Sequence, residues 1–179
     1  MYKLQLTILE QEVLNFLFIR KGEVFTARAL AVALNVSQPG IGKALRNLEK
    51  EDYIKVIKNK ETKRLSISLN EDNILIHGLK RANNIKLLYE SKLVEELSKK
   101  FPGTTIILFG SYAWGEDTIR SDIDIAVIGA KQKEINLEAF EKKLEREINI
   151  NFYDFFKRID KHLLNNILNG ITINGAIEL

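Results

Sequence analysis

The stretch TTIILFGSYAWGEDTIRSDIDIAVIG occupies residues 104–129 and decides the fold of the C-terminal half of the chain. Its first six residues are β-branched, aliphatic or aromatic, which predicts a strand over residues 104–109 that stops at Gly110 and Ser111. The following SYAWGE predicts a short turn or helix. A strand that ends in glycine and serine before a helix is typical of phosphate binding, because glycine lets an anion approach the backbone and serine donates its hydroxyl.

The second half of this stretch, residues 121–128, predicts another strand and carries two carboxylates spaced by one residue. Side chains alternate along a strand, so Asp122 and Asp124 lie on one face while Ile123, Ile125 and Val127 face a core. Two such charges repel each other unless a cation lies between them, and hard oxygen ligands suit magnesium or manganese. The sequence therefore predicts a divalent metal site at the two aspartates.

Ten residues separate Ser111 from Asp122, and this Gly-Ser and Asp-x-Asp spacing resembles the motif of the DNA polymerase beta-like nucleotidyltransferase superfamily. The similarity is greatest to its minimal nucleotidyltransferases, of the archaeal type fused to a winged helix, and extends over residues 85–179. The resemblance implies transfer of a nucleotide from a nucleoside triphosphate (NTP) to an acceptor hydroxyl. It assigns Gly110, Ser111 and Ser121 to nucleotide binding, and Asp122 and Asp124 to catalysis as ligands of Mg²⁺ or Mn²⁺.

Active members of that superfamily carry a third carboxylate on the next strand, which this sequence predicts over residues 148–153 (ININFY). The apolar residues of that strand face inward, leaving positions 147, 149, 151 and 153 on the side of the site. The expected position therefore holds Asn149, which we assign as the third metal ligand although an amide brings no charge and accepts no proton. Two alternatives for this ligand are Glu147, and Asp154 after a slip in register.

Trp114 stands where relatives often carry a basic residue. Its indole either packs in the core, which we favour, or stacks on a nucleotide base.

Residues 1–70 predict three helices followed by a hairpin. Helical spacing over residues 7–20 predicts the first helix, Thr26 or Ala27 opens the second, and Ser37 caps the third. The expected inward residues of the first helix are Ile8, Val13, Leu14, Leu17 and Phe18, and those of the third are Ile41, Leu45 and Leu48. The run YIKVIKNKETKRLSISL, residues 53–69, predicts a hairpin with its turn at 59–62.

Basic residues concentrate on two parts of this region. They comprise Lys43, Arg46 and Lys50 on the third helix, and Lys58, Lys60, Lys63 and Arg64 at the hairpin tip. The pattern resembles the winged helix-turn-helix family, which implies binding of double-stranded DNA by a recognition helix and a wing, and a homodimer that reads two half-sites. The alternative is that these charges form a solvated surface and the domain mediates protein contacts.

The composition agrees with two folded domains. Residues 1–70 carry 12 Lys and Arg against 7 Asp and Glu, whereas the remainder carries 15 Lys and Arg against 17 Asp and Glu. The excess of positive charge indicates that residues 1–70 are the part that binds a polyanion such as DNA. The chain has no cysteine, which excludes disulfides and thiolate metal sites. With no membrane-span or signal-peptide pattern, we expect a cytoplasmic protein.

We therefore predict an α+β protein with a winged helix-turn-helix domain at residues 1–70, a helical connector at 71–86 and a minimal nucleotidyltransferase domain at 87–179. Its sheet is expected to be mixed, with flanking helices, and residues 71–100 to be helical with an interruption near Asn83 and Asn84. Two functions stay open. One is a DNA-tethered nucleotidyltransferase that modifies a toxin-like protein or an RNA acceptor. The other is an antitoxin-like or transcriptional regulator whose transferase domain is weakened or inactive and serves as a nucleotide sensor or a dimerisation module.

Overall fold

The computed structural model describes residues 6–58 and 64–178. The chain divides into two compact units, Met1–His77 and Gly78–Leu179. The predicted hairpin turn at 59–62, together with Lys60 and Lys63, lies outside the described residues.

Three capped helices open the first unit. They are α1 (Ile8–Ile19), α2 (Ala27–Ala33) and α3 (Gln38–Lys50). Thr7 and Glu10 form a reciprocal capping box at the start of α1, and the side chains of Thr26 and Ser37 accept backbone N–H groups at the starts of α2 and α3. The predicted starts of α2 and α3 are confirmed because both rest on this local capping chemistry.

A two-stranded antiparallel hairpin follows, formed by β1 (Ile54–Lys58) and β2 (Leu65–Leu69). Phe25, just before α2, forms a further β-bridge with Ile67. The order of three helices and a hairpin is the winged-helix arrangement, and the predicted architecture of this unit is confirmed.

The core of the first unit contains the predicted inward stripe of α3 and most of that of α1. Ile8 is an exception, since 77% of its surface is exposed, and the prediction that it faces the core is wrong. The residues that pack against the core at this end of α1 are Leu6 and Leu9. The inward position on that turn belongs to the buried Glu10, whose Oε1 accepts from Asn47 Nδ2 at 2.7 Å and so joins α1 to α3.

The helix α4 (Ile74–Glu90) runs without interruption through Asn83 and Asn84, so the break predicted there is wrong. Both asparagines are buried, and Asn84 finds its partners far away in the sequence. The helix ends instead at Ser91 and Lys92, where Lys92 adopts a left-handed conformation with φ of 68° before α5 (Leu93–Lys100).

The second unit is built on a four-stranded mixed sheet. Its remaining elements are β3 (Thr105–Phe109), α6 (Gly110–Trp114), β4 (Ile123–Ile128), α7 (Glu138–Leu144), β5 (Ile148–Tyr153), a 3-10 turn (Phe156–Arg158), α8 (Lys161–Leu168) and β6 (Ile171–Asn174). The strand order is β5-β4-β3-β6, with β4 and β5 parallel and the other two pairs antiparallel. The predicted mixed sheet with flanking helices is confirmed.

Apolar side chains cover both faces of this sheet. Ile123, Ile125 and Val127 of β4 pack with residues of α5, α6 and α7, while Ala126 and Ile128 pack with Phe156 and α8 on the opposite face. The predicted alternation along β4 is therefore confirmed, and it directs the two aspartates toward the second face. Within the described residues, no helix is long and apolar enough to cross a membrane.

Candidate active site

The two aspartates lie where β4 begins. Asp122 immediately precedes the strand, and Asp124 shares a face with Ala126 and Ile128. The side chains of α8 and the 3-10 turn cover the latter two residues, but Asp124 and Asp122 are only half-buried. Both carboxylates are thus held by a rigid strand and reached by solvent.

Gly110 brings the predicted phosphate-binding turn, Gly110 and Ser111, against the Asp124 carboxylate. In the sheet, Phe109 pairs with Asp124, so the chain leaves β3 beside the aspartate. Gly110 has φ of +75°, and a Cβ at this position would lie 2.6 Å from Asp124 Oδ2. The left-handed conformation favours glycine, and a residue with a Cβ at this position would have to displace the Asp124 carboxylate.

Asn149 occupies the third position of the site. Parallel pairing places it directly opposite Asp124, in the register expected from the sequence. Its Nδ2 donates to Asp122 Oδ2 at 3.0 Å, so the amide bridges from β5 to β4. Among the residues that the structure describes, no group of three His, Cys, Asp or Glu side chains is arranged to hold a metal ion.

The structure shows no register slip in β5, so the Asp154 alternative is wrong. Glu147 precedes β5, with its backbone carbonyl accepting from Ile123 N at 2.8 Å. Its exposed side chain lines a cavity of about 370 Å³ together with Asp122, and its role as a substitute ligand stays a prediction. Asp154 follows the opposite end of β5, about 16 Å from Asn149 along an extended strand. Its Oδ2 pairs there with Arg158 at 2.7 Å.

The electrostatics of the site disfavour two bare charges. Partial burial raises the pKa of Asp124 above its usual value, and the neighbouring Asp122 charge raises it further. The Asn149 amide lowers that pKa, but by less. A positive charge between the carboxylates would relieve the repulsion.

The donor set fits a divalent cation of the magnesium type. Two carboxylates can bind it through oxygen, and the Asn149 amide carries a further oxygen that can serve as a neutral ligand. The absent Cβ of Gly110 leaves space at Asp124 Oδ2. This set of ligands nevertheless carries one negative charge fewer than a three-carboxylate site. The missing charge weakens the binding of metal most where two metal ions are bound together.

The two predicted serines differ in their surroundings. Ser111 lies in the first turn of α6, half-buried beside Gly110. Ser121 Oγ accepts from Thr118 N at 3.0 Å and shapes the turn that leads into Asp122. Ser121 thus has a role in the loop conformation, and its predicted contact with nucleotide stays a prediction.

Trp114 ends α6 and is 43% exposed, so the favoured expectation of a packed indole is wrong. The guanidinium carbon of Arg81, on α4, lies 5.0 Å from the centre of the indole ring. This cation–π contact places a basic group beside α6. The motif alone gave no signal for it, because Arg81 is distant in sequence.

The predicted DNA-binding residues that the structure describes are all exposed. Helix α3 carries Lys43, Arg46 and Lys50. Lys58 is the last residue of β1, and Arg64 immediately precedes β2. Arg64 and Leu65 line a cavity of about 440 Å³ with Thr26, Ala27 and Arg28. Arg28 therefore joins the basic surface, and sequence reasoning missed it because only folding brings α2 beside the wing.

Comparison with known families supports the assignment of the C-terminal unit. Residues 90–173 match the family model described as "Nucleotidyltransferase domain". The match contains β3, α6, β4 and β5, and hence every residue of the candidate site. A comparison with curated proteins finds no match.

Several solved winged-helix structures are similar to a little more than half of the chain. The crystal structure of MepR, a transcription regulator of the Staphylococcus aureus multidrug efflux pump MepA, is 25% identical with a TM-score of 0.42, covering 54% of this chain and 69% of MepR. A point mutant of Lactococcus lactis ZitR is 22% identical with a TM-score of 0.41, covering 57% and 67%. The adhesin competence repressor AdcR of Streptococcus pyogenes is 26% identical with a TM-score of 0.40, covering 54% and 69%.

Gly110→Ala is expected to disturb the site more than its backbone strain alone explains. The variant should lose about 1–3 kcal/mol of unfolding free energy from the left-handed conformation, and it should also displace the Asp124 carboxylate. Gly129→Ala is the matched control, since Gly129 has φ of +93° but nothing within 4 Å of an added Cβ. Urea unfolding and Mn²⁺ binding measured on both variants check this. Equal Mn²⁺ affinity in the two would contradict the close approach at Gly110.

Asp124→Asn is expected to stabilise the metal-free protein at pH 7. Folding raises the pKa of Asp124 above its ordinary value of 3.8. The free energy of unfolding therefore falls as pH rises from 3.8 to the raised pKa, because the carboxyl ionises at a lower pH in the unfolded chain. Above the raised pKa the loss of stability is complete and constant. The asparagine variant avoids the loss, so its advantage should shrink toward acid pH. Urea unfolding between pH 4 and 7 measures the difference. Asp154→Asn, outside the site, should show no such gain, and an equal gain there would refute the explanation.

Proposed function

We propose that this protein is a DNA-binding nucleotidyltransferase that uses a divalent metal ion and an NTP to modify an acceptor hydroxyl. The observation that carries the proposal is the junction of Gly110 with Asp124, which joins a phosphate-binding turn to paired carboxylates. The family match over residues 90–173 contains this junction and supports the same chemistry.

The proposed roles follow from the geometry. Backbone amides at Gly110 and Ser111 and the Ser111 hydroxyl bind the triphosphate, with Ser121 supporting the approach to Asp122. Asp122, Asp124 and Asn149 hold Mg²⁺ or Mn²⁺. The ion, when bound, neutralises triphosphate charge and aligns the attacking and leaving oxygens. The carboxylates thus act through electrostatics, and none of these residues forms a covalent bond with the nucleotide.

A second candidate function is a transcriptional or antitoxin-like regulator whose transferase domain has weak or no activity. Asn149 favours it, because the amide adds no charge and donates to Asp122 where active relatives are expected to have a further carboxylate. In this case the domain would still bind a nucleotide through Gly110 and Ser111. The two functions share the site and differ in turnover.

The proposed partners are double-stranded DNA for the first unit, NTP for the second, and a toxin-like protein or an RNA as acceptor. A homodimer would present two α3 helices to two half-sites. We place this activity in the cytoplasm, where DNA and NTPs meet.

Transfer is tested by incubating the protein with each α-³²P-labelled NTP and Mg²⁺ or Mn²⁺, and measuring label on the protein, on candidate acceptor proteins and on RNA. Label is expected to require Asp122 and Asp124, because their loss removes the metal site, so Asp122→Asn with Asp124→Asn should abolish it. Asp154→Asn is the control and should retain it.

Asn149→Asp separates the two functions in the same assay, since it places a third carboxylate opposite Asp124. Activity in the unaltered protein supports the transferase. No transfer of label by the unaltered protein, together with transfer by Asn149→Asp, supports the regulator. If neither protein transfers label and calorimetry detects no binding of any NTP, nucleotide chemistry at this site is rejected.

DNA binding is expected to depend on salt through the phosphates that α3 binds. Replacing Lys43, Arg46 and Lys50 with glutamine should weaken binding to a duplex and reduce the slope of log K against log salt by about 0.9 for each phosphate that is no longer neutralised. The control replaces Lys133, Lys142 and Lys143, which are exposed in the second unit and change the net charge equally. Fluorescence anisotropy at several salt concentrations measures both. The same slope in the two triple variants would rule out α3 as the DNA-binding helix.

A further inference from the structure

A buried charge cluster lies under the loop that joins the two halves of the site. Asp117 is fully buried, with Lys80 Nζ 2.7 Å from its Oδ1 and Arg146 NH2 3.2 Å from its Oδ2. Asn84 Nδ2 also donates to Asp117 Oδ1 at 2.7 Å. The Asp117 carboxylate therefore contacts two cationic side chains and one amide donor. Asp117 lies within the Gly-Ser and Asp-x-Asp motif, which assigns it no role.

The partners of Asp117 come from α4 and from the residues just before β5. Asn84, on α4, also donates to the backbone carbonyl of Tyr112 in α6, at 2.9 Å, and so reaches the helix that begins with Gly110. Arg146 stands just before β5, the strand that carries Asn149, and donates to the Glu145 carbonyl at 2.9 Å. Asp117 itself belongs to the loop between α6 and β4. A single side chain thus connects the Gly-Ser turn, the aspartate loop and the third strand.

Stability alone is a weak reason for this arrangement. Taking charges out of water is costly, and buried ion pairs can often be replaced by apolar groups without loss, so their retention suggests a demand for defined geometry. The site needs such a defined geometry, since a Cβ atom on Gly110 would lie only 2.6 Å from Asp124 Oδ2. A small displacement of α6 relative to β4 would change the alignment of phosphate and metal ligands.

We propose that Asp117 is a positioning residue that fixes α6, and with it Gly110 and Ser111, relative to the metal-binding aspartates. The catalytic consequence rests on the function proposed above. The structural consequence does not, because the position of α6 can be measured without nucleotide.

Trp114 provides that measurement. It is the only tryptophan of the chain, it ends α6, and its ring lies under Arg81 of α4, the residue next to Lys80. If the hydrogen bonds and ion pairs of Asp117 hold α6 against α4, removing them should release Trp114 from Arg81. The indole would then become more accessible to acrylamide.

The test compares Asp117→Asn with the double variant Lys80→Met, Asp117→Asn. The single variant leaves two buried cations without a carboxylate and should lose much of its stability. The double variant removes one positive and one negative charge but leaves Arg146 without its carboxylate, so its Tm should lie between those of the single variant and the unaltered protein. Lys86→Met with Glu90→Gln is the matched control, since it removes an exposed ion pair from the same helix.

The double variant is expected to show increased acrylamide quenching of Trp114 and a kcat reduced roughly ten- to hundredfold with KM little changed. Recovery of stability together with normal quenching and normal kcat would show that Asp117 only balances charge, and would overturn the proposal. Should the double variant fail to fold, Asn84→Leu replaces it, because it cuts the link between Asp117 and α6 without altering charge. Unchanged quenching in that variant would equally overturn the proposal.

The quenching and turnover measurements separate this inference from the proposed function. If the unaltered protein transfers no label, the nucleotidyltransferase assignment fails, while Trp114 quenching still decides the role of Asp117. If label is transferred and quenching is unaffected by the variants, the function stands and the positioning role fails.

Discussion

The close approach of Gly110 to Asp124 is the constraint on which the candidate site depends. Strand β3 must leave the sheet beside β4 through a left-handed residue, and the space where its side chain would lie is taken by a carboxylate oxygen. Because of this approach, the turn formed by Gly110 and Ser111 and the paired aspartates are neighbours and not merely parts of one sheet edge. The pairing of Phe109 with Asp124 and of Asp124 with Asn149 then brings three adjacent strands to the same point.

Local rules are sufficient to predict much of the molecule. The alternation of β4 assigns its isoleucines to a core and its aspartates to the other face, and the caps Thr26 and Ser37 mark where helices begin. The alternation along β5 also predicts the face on which Asn149 lies, since the apolar residues of the strand face the other side. Its pairing with Asp124 is set by the register of the folded sheet, which alternation does not determine.

The errors arise where distant contacts override local preference. Asparagine is a poor helix former in isolation, and Asn84 therefore predicts a break in α4. In the folded chain it is buried and bonded to Asp117 and the Tyr112 carbonyl, and these bonds hold it in the middle of the helix. Trp114 and Arg28 show the same limit, because their neighbours come from other elements. Ile8 shows a different limit, since a helical period does not reveal which residues of the first turn face the core.

Asn149 has a consequence for the ancestry of such a site. Asparagine and aspartate side chains have nearly the same shape, and their codons differ by a single base. The fold that supports one therefore accommodates the other, and a lineage carrying this chain can exchange a neutral third position for a charged one in one mutational step. The charge at this position of β5 can accordingly change in either direction by one mutation, provided that the surrounding strands and the Gly110 turn are kept.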